Sequence, residues 1–266
     1  WPEQVRFIWT LHHALLDGRS IARILRSFLE RLRGGEAADL TLAEWRAPSP
    51  AALLLAEAML RETFVKLEPM DLGFPYEAQG AGPAVCCLGN DFAKHLEVIA
   101  EAMDVTAATI LTWTWGQALA ETSGTEAVMV EQLRSGAPKE GRAGFTMNTL
   151  PILIRRTGDD TVQSLRDFFA QLLALRAIES VSPEDFAPGV LPNTEWTSVI
   201  MVERGTLHHM AGGELVESLV LHESKSTTLI ATAHLLPDLR LEVDGPGRHG
   251  LLTAWIRMLK SVLTCY

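Results

Sequence analysis

Hydrophobic positions along the chain follow two periods, and the places where the period changes outline its elements. Residues 5–11, "VRFIWTL", are β-branched and aromatic and predict a buried strand. Asp17 and Gly18 signal a turn. Ile21, Ile24, Leu25, Phe28, Leu29 and Leu32 then recur at helical spacing, with Arg23, Arg26, Glu30 and Arg33 between them, until Gly34 and Gly35 stop the helix. Ser49 and Pro50 predict a helix start, running to about Lys66. A Pro- and Gly-rich loop over 69–83 precedes a short strand, "AVCCL". Helices are expected over 91–103, 106–122, 162–178 and 250–263. Strands are expected over 127–133, 145–154, 196–202, 215–222, 228–235 and 239–243. Pro151, inside one of them, calls for an edge position or a break in pairing. Interspersed helices and strands make the class α/β or α+β with a mixed sheet.

Composition narrows the function classes. The 266 residues carry 47% hydrophobic and 21% charged positions, ordinary for a soluble globular protein with a sizeable core. A formal net charge of −10 argues against a general binder of nucleic acid or anionic membrane, which needs clustered Lys and Arg. No apolar run is long enough to span a bilayer, and the basic-then-apolar pattern of a signal peptide is missing. Cys86, Cys87 and Cys265 show no Cys-x-x-Cys spacing, so no structural zinc site or disulfide framework is expected, and the cysteines read as small buried hydrophobes in a reducing cytoplasm. The chain opens at Trp1 without Met and enters a strand-like stretch within a few residues, the way a fragment begins.

His12 and His13 end the first apolar stretch. Successive side chains of a strand point to opposite faces, so the pair is poorly placed to share a metal and one ring is expected to face a cavity while the other packs. Parity alone does not say which. A histidine at a strand end suits general-base work, because its neutral form accepts a proton near neutral pH. Asp17 is placed to fix the loop's shape, and Gly18 to let a backbone N–H approach a ligand carbonyl. His208, His209, His222, His234 and His249 read as exposed or satisfied, and Trp113 and Trp115 as core or cavity wall. No phosphate-binding glycine loop and no G-x-S-x-G elbow is present.

The string His12-His13-Ala-Leu-Leu-Asp17-Gly18 resembles the HHxxxDG motif of condensation domains of nonribosomal peptide synthetases. Downstream, "GFTMNTLPILIRR" is similar to the family's G-x-F-x-N-T-L-P strand, and a helix, Ser-Gly turn, strand and Gly-Pro-type loop stand between the two in the family's order. The resemblance implies a chloramphenicol-acetyltransferase-like fold, two lobes with mixed β-sheet flanking a tunnel. Residues 1–45 would end the N-terminal lobe, whose upstream part is missing from this chain or separate, and residues 46–266 would form the C-terminal lobe.

The implied activity is acyl transfer from a carrier-protein-bound thioester to an amine or hydroxyl acceptor, in nonribosomal peptide or hybrid polyketide biosynthesis. His13 would be the base or orienting group, beside His12. Asp17 would serve a structural ion pair, and Gly18 would contact the thioester region. The family's usual arginine partner for the aspartate is expected upstream, with Arg155 as a local candidate. Met147, Asn148 and Thr149 would lie near the substrate and pantetheine tunnel, Asn148 either bonding a ligand carbonyl or pinning its strand. Substrates would ride on phosphopantetheine of acyl or peptidyl carrier proteins, with no cofactor or metal held by the chain itself. Two alternatives stay open: a non-catalytic docking or structural domain, and a stand-alone CoA-dependent acyltransferase. The retained histidines separate the chain from heterocyclising domains, and Leu150-Pro151 separates it from epimerising ones.

Overall fold

The structure, a computed structural model, describes residues 6–36, 39–43, 47–64, 67, 82–135, 141–156, 160–191, 198–205 and 229–264. In chain order these form α1 (Gly18–Leu32), β1 (Thr41–Leu42), α2 (Pro50–Phe64), β2 (Ala84–Gly89), α3 (Asn90–Ala102), α4 (Ala107–Ser123) and β3 (Ala127–Ser135). Then follow β4 (Arg142–Ala143), β5 (Met147–Arg155), α5 (Thr161–Ala174), β6 (Val199–Gly205), β7 (Ile230–Leu236), β8 (Leu239–Asp244) and α6 (Arg248–Thr264). Several helices start where a side chain satisfies an orphan amide of the first turn. Asp17, Ser49, Thr106 and Asp160 each accept from the backbone N–H three residues on. The strand expected over 215–222, His208, His209, His222 and Cys265 lie outside the described residues.

The chain divides into two units. The larger comprises residues 47–135, 148–206 and 220–266. Its six-stranded sheet has the order β2-β8-β7-β6-β3-β5, antiparallel from β2 to β7 and parallel from β7 through β6 to β3. This is the mixed sheet the pattern predicts. Among the described strands β5 lies at one edge of the sheet, where Pro151 has no second ladder to disrupt. On β8, Leu239, Leu241 and Val243 are buried while Arg240, Glu242 and Asp244 turn the other way. The core is aliphatic and aromatic. Trp115 and Trp255 meet edge-on at 5.2 Å, and each indole N–H finds an acceptor, the Ser198 hydroxyl at 3.0 Å and the Leu111 carbonyl at 3.1 Å. Trp113 and Trp115 are thus core residues, as expected. Gly116 lets α4 close on β5, since a Cβ there would lie 2.7 Å from Ile154 Cβ. Cys86 and Cys87 correct the reading of buried thiols: on edge strand β2 alternate residues face opposite ways, leaving Cys86 half-buried and Cys87 exposed, both free.

The smaller unit comprises residues 1–46, 136–147 and 207–219. Here α1 packs beside the short parallel pair β1 and β4. Its buried apolar cluster is Leu16, Ile21 and Ala143, with Leu11, Ile24 and Leu25 against it. Of the strand expected over residues 5–11, the described residues 6–11 form none. Residues 6–12 are irregular, and Phe7, Ile8 and Trp9 are 56%, 79% and 37% exposed. Strand-forming side chains make a strand only where a neighbour supplies the ladder, and no described residue pairs with this segment. Phe7 instead stacks on Phe28 of α1, ring centroids 4.9 Å apart.

Candidate functional site

The first motif folds into a tight polar loop within the smaller unit. His13–Leu15 form one turn of 3-10 helix, so the two histidines are not on a strand and the opposite-faces expectation fails. Both rings are exposed. What distinguishes them is hydrogen bonding. The Ala14 N–H donates to His12 Nδ1 at 3.2 Å, so neutral His12 carries its proton on Nε2. His13 Nδ1 lies 2.9 Å from the Leu16 carbonyl, which only accepts. Neutral His13 is therefore protonated on Nδ1 and presents Nε2 as the basic nitrogen. Phe145 stands edge-on to its ring at 6.1 Å.

Asp17 follows at full burial and caps α1. Its Oδ1 accepts the Ser20 N–H at 2.8 Å, and its Oδ2 accepts the Thr146 N–H at 2.9 Å and the Thr146 hydroxyl at 2.8 Å. Burial pushes its carboxyl up, but the donors of Ser20 and Thr146 outweigh this and hold the pKa below the ordinary value. Among the described residues Asp17 forms no ion pair with Arg155, the local candidate: the amides of Ser20 and Thr146 and the Thr146 hydroxyl bind the carboxylate instead. The Asp17 N–H and Ser20 hydroxyl both donate to the Gly144 carbonyl, at 3.2 and 2.8 Å, and the Gly144 N–H returns to Ser20 Oγ at 3.0 Å. Gly144 has no room for a side chain, because a Cβ would sit 2.8 Å from that of Ala43. The two motifs are thus stitched together through Asp17, Ser20, Gly144 and Thr146.

Gly18 opens α1, and a Cβ added there would meet nothing within 4 Å. Met147 and Thr149 lie on β5, half-buried. Asn148, on the same strand but in the larger unit, donates through Nδ2 to the carbonyls of Glu179 and Val181 at 3.0 and 2.7 Å, which pins the chain after α5. A groove of about 400 Å³ in the smaller unit lies elsewhere, lined by Ile24, Phe28, Arg31, Thr41 and Leu42 among others. Sequence reasoning missed Ser20 and Thr146. The signal for Ser20 was its place three residues after a helix-capping aspartate, and for Thr146 its place inside the second motif.

No protein-family model matches the chain. A linear gramicidin synthase polypeptide of Brevibacillus parabrevis is 24% identical over 277 residues, covering 91% of this chain and 5% of that protein. The first condensation domain of the calcium-dependent antibiotic synthetase, in complex with substrate analogue 3a, superposes with a TM-score of 0.66 at 17% identity, over 95% of this chain and 62% of that one. The chain has the condensation-domain fold. A four-domain nonribosomal peptide synthetase, holo-AB3403, superposes with a TM-score of 0.70 at 16% identity, over 96% of this chain and 23% of its own. The chain therefore spans a small part of the synthetase it matches in sequence and less than two thirds of the condensation domain it matches in structure. Its mixed α/β architecture is the chloramphenicol-acetyltransferase-like class expected from the motifs.

Proposed function

We propose that the chain contributes the catalytic motif of a condensation-type acyltransferase, which joins a carrier-bound acyl thioester to an amine or hydroxyl acceptor. The observation that carries this reading is the opposite hydrogen bonding of the two histidines. Only His13 has Nδ1 committed to a carbonyl, which makes Nε2 the proton-accepting nitrogen of an exposed ring. In the reaction, Nε2 takes the proton of the acceptor as its nitrogen or oxygen bonds to the thioester carbon. The carbon–sulfur bond breaks, and the thiolate leaving group receives a proton, so the base is regenerated. Asp17 does no proton transfer. It holds the loop that aims His13, from a cage that is closed to solvent. The open space over Gly18 leaves room for a thioester to approach the start of α1.

The fold neighbours support the carrier-borne substrate class, since they include condensation domains of peptide and polyketide synthases. The reading is tested with acyl thioesters of free pantetheine and a panel of amines and alcohols, products being identified by mass spectrometry. An amide or ester product with the wild-type chain, lost in His13→Ala and kept in His12→Ala, is the expected result. Equal product from wild type and His13→Ala overturns the assignment of the base, and no product from any thioester overturns the reading itself.

A further inference from the structure

One peptide group of the first motif is gripped at both ends. Its carbonyl, that of Leu16, lies 2.9 Å from His13 Nδ1 and fixes a proton there. Its N–H, that of Asp17, donates to the Gly144 carbonyl at 3.2 Å. The peptide is trans and planar, so the two groups share one plane and cannot turn independently. A rotation that frees the Asp17 N–H also swings the Leu16 carbonyl away from His13. A bond of 3.2 Å is at the long end of its range and is a weak hold by itself. Ser20 steadies its acceptor. The Ser20 hydroxyl donates to the same Gly144 carbonyl at 2.8 Å and accepts the Gly144 N–H at 3.0 Å, so one side chain holds both polar groups of that glycine. Leu16, Asp17, Ser20 and Gly144 are all buried, whereas His13 is exposed.

Ser20 also spares the carbonyl that His13 uses. In a helix the carbonyl four residues back is the ordinary acceptor for a backbone N–H and the usual one for a serine hydroxyl, and four residues back from Ser20 is Leu16. Neither group of Ser20 goes there. Its N–H donates to Asp17 Oδ1 at 2.8 Å, and its hydroxyl reaches Gly144, 124 positions away. The first bond of the α1 ladder runs instead from the Ile21 N–H to the Asp17 carbonyl at 2.9 Å. The Leu16 carbonyl is thereby left to the histidine. We infer that Ser20 is a positioning residue: through the Gly144 carbonyl and the Leu16–Asp17 peptide it holds the His13 ring in the Nδ1–H form that leaves Nε2 basic. The catalytic half of this inference rests on the acyl-transfer reading above.

The test compares wild type with Ser20→Ala and Ser20→Cys in the full chain, with circular dichroism confirming the fold. Cysteine keeps nearly the shape of serine but is a weak donor and acceptor, so it breaks the link without opening a cavity. The His13 tautomer is read in alkaline buffer, where imidazole is neutral, from two-bond 1H–15N correlations of histidine-labelled protein, and His13→Ala identifies its signals. Wild type is expected in the Nδ1–H form. Loss of a neutral hydrogen bond should move the tautomer ratio toward Nε2–H by about threefold to tenfold in both variants. The kcat for transfer from a free pantetheine thioester should fall at least in proportion to the Nδ1–H fraction, with KM unchanged. Wild type in the Nε2–H form, or a folded Ser20→Cys with the wild-type ratio, overturns the link through Gly144. A shifted ratio with unchanged kcat overturns the positioning role while leaving the function intact. Wild type that transfers from no thioester overturns the function, and the catalytic half of the inference with it, whatever tautomer is observed.

Discussion

At Asp17 a charge is held where water is excluded, and three donors make that tolerable. Removing the carboxylate in Asp17→Ala leaves the Thr146 and Ser20 amides without an acceptor and uncaps α1. The expected cost is about 3 kcal/mol in chemical denaturation. Asp17→Asn is expected to cost nearly as much, because one amide hydrogen would face a donor. The folded carboxyl titrates below its ordinary value of 3.8, so its contribution is complete above that pH and is lost as pH falls through the lower folded value. Wild type should therefore lose stability in acid more steeply than Asp17→Ala, and parallel acid-unfolding curves for the two would contradict the cage. The sequence marks Asp17 as a turn residue that fixes its loop but not its distant partner, because Thr146 stands 129 residues away. The histidine tautomers are equally hidden, since they depend on a turn that the apolar run disguises as a strand.

Between elements, the clearest constraint is Gly116 of α4 against Ile154 of β5. Gly116→Ala should destabilise by about 1–3 kcal/mol, with part recovered in Gly116→Ala/Ile154→Ala if the clash is the cause; additive losses in the double variant would point elsewhere. The sheet also carries two groups that favour the protonated state. Burial alone pushes the Glu131 carboxyl up to about 7. Burial would push His234 down, but Glu203 and Glu242, each 3.5 Å away, reverse this and hold it up to about 9. Both folded values exceed the ordinary ones of 4.5 and 6.5, so their stabilisation is full at low pH and is lost as pH rises. For Glu131 the loss falls between about 4.5 and 7, and for His234 between 6.5 and about 9. Glu131→Gln should raise the melting temperature near pH 8 and leave it nearly unchanged near pH 4, whereas His234→Gln should flatten the alkaline limb; a melting profile that neither substitution alters would refute this origin. The helices and the strands of β7 and β8 are readable from periodicity because their burial is local and regular. Residues 5–11 mislead because strand pairing is a non-local property that no apolar run contains.

Over the whole molecule, the two units differ in how they are held. The larger has an extended core built around Trp115, Trp255 and the sheet, while the described part of the smaller has a small apolar cluster around Leu16, Ile21 and Ala143 and relies on the Asp17 network. Amide hydrogens of α1 should therefore exchange faster than those of α4, and equal protection would show that the smaller unit is stabilised by more than these contacts. The fold class is readable because two separated motifs carry it, and the fold neighbours bear it out. What the histidines do is not, since function sits in a few oriented atoms and not in the architecture. The direct test is single-turnover acyl transfer from a thioester-loaded carrier domain to an amine, with wild type and His13→Ala compared at equal folded concentration. Loss of a general base predicts a fall of about 10²–10⁴ in rate with the fold unchanged. Transfer by His13→Ala at the wild-type rate would contradict the role assigned to its Nε2 and with it the central claim.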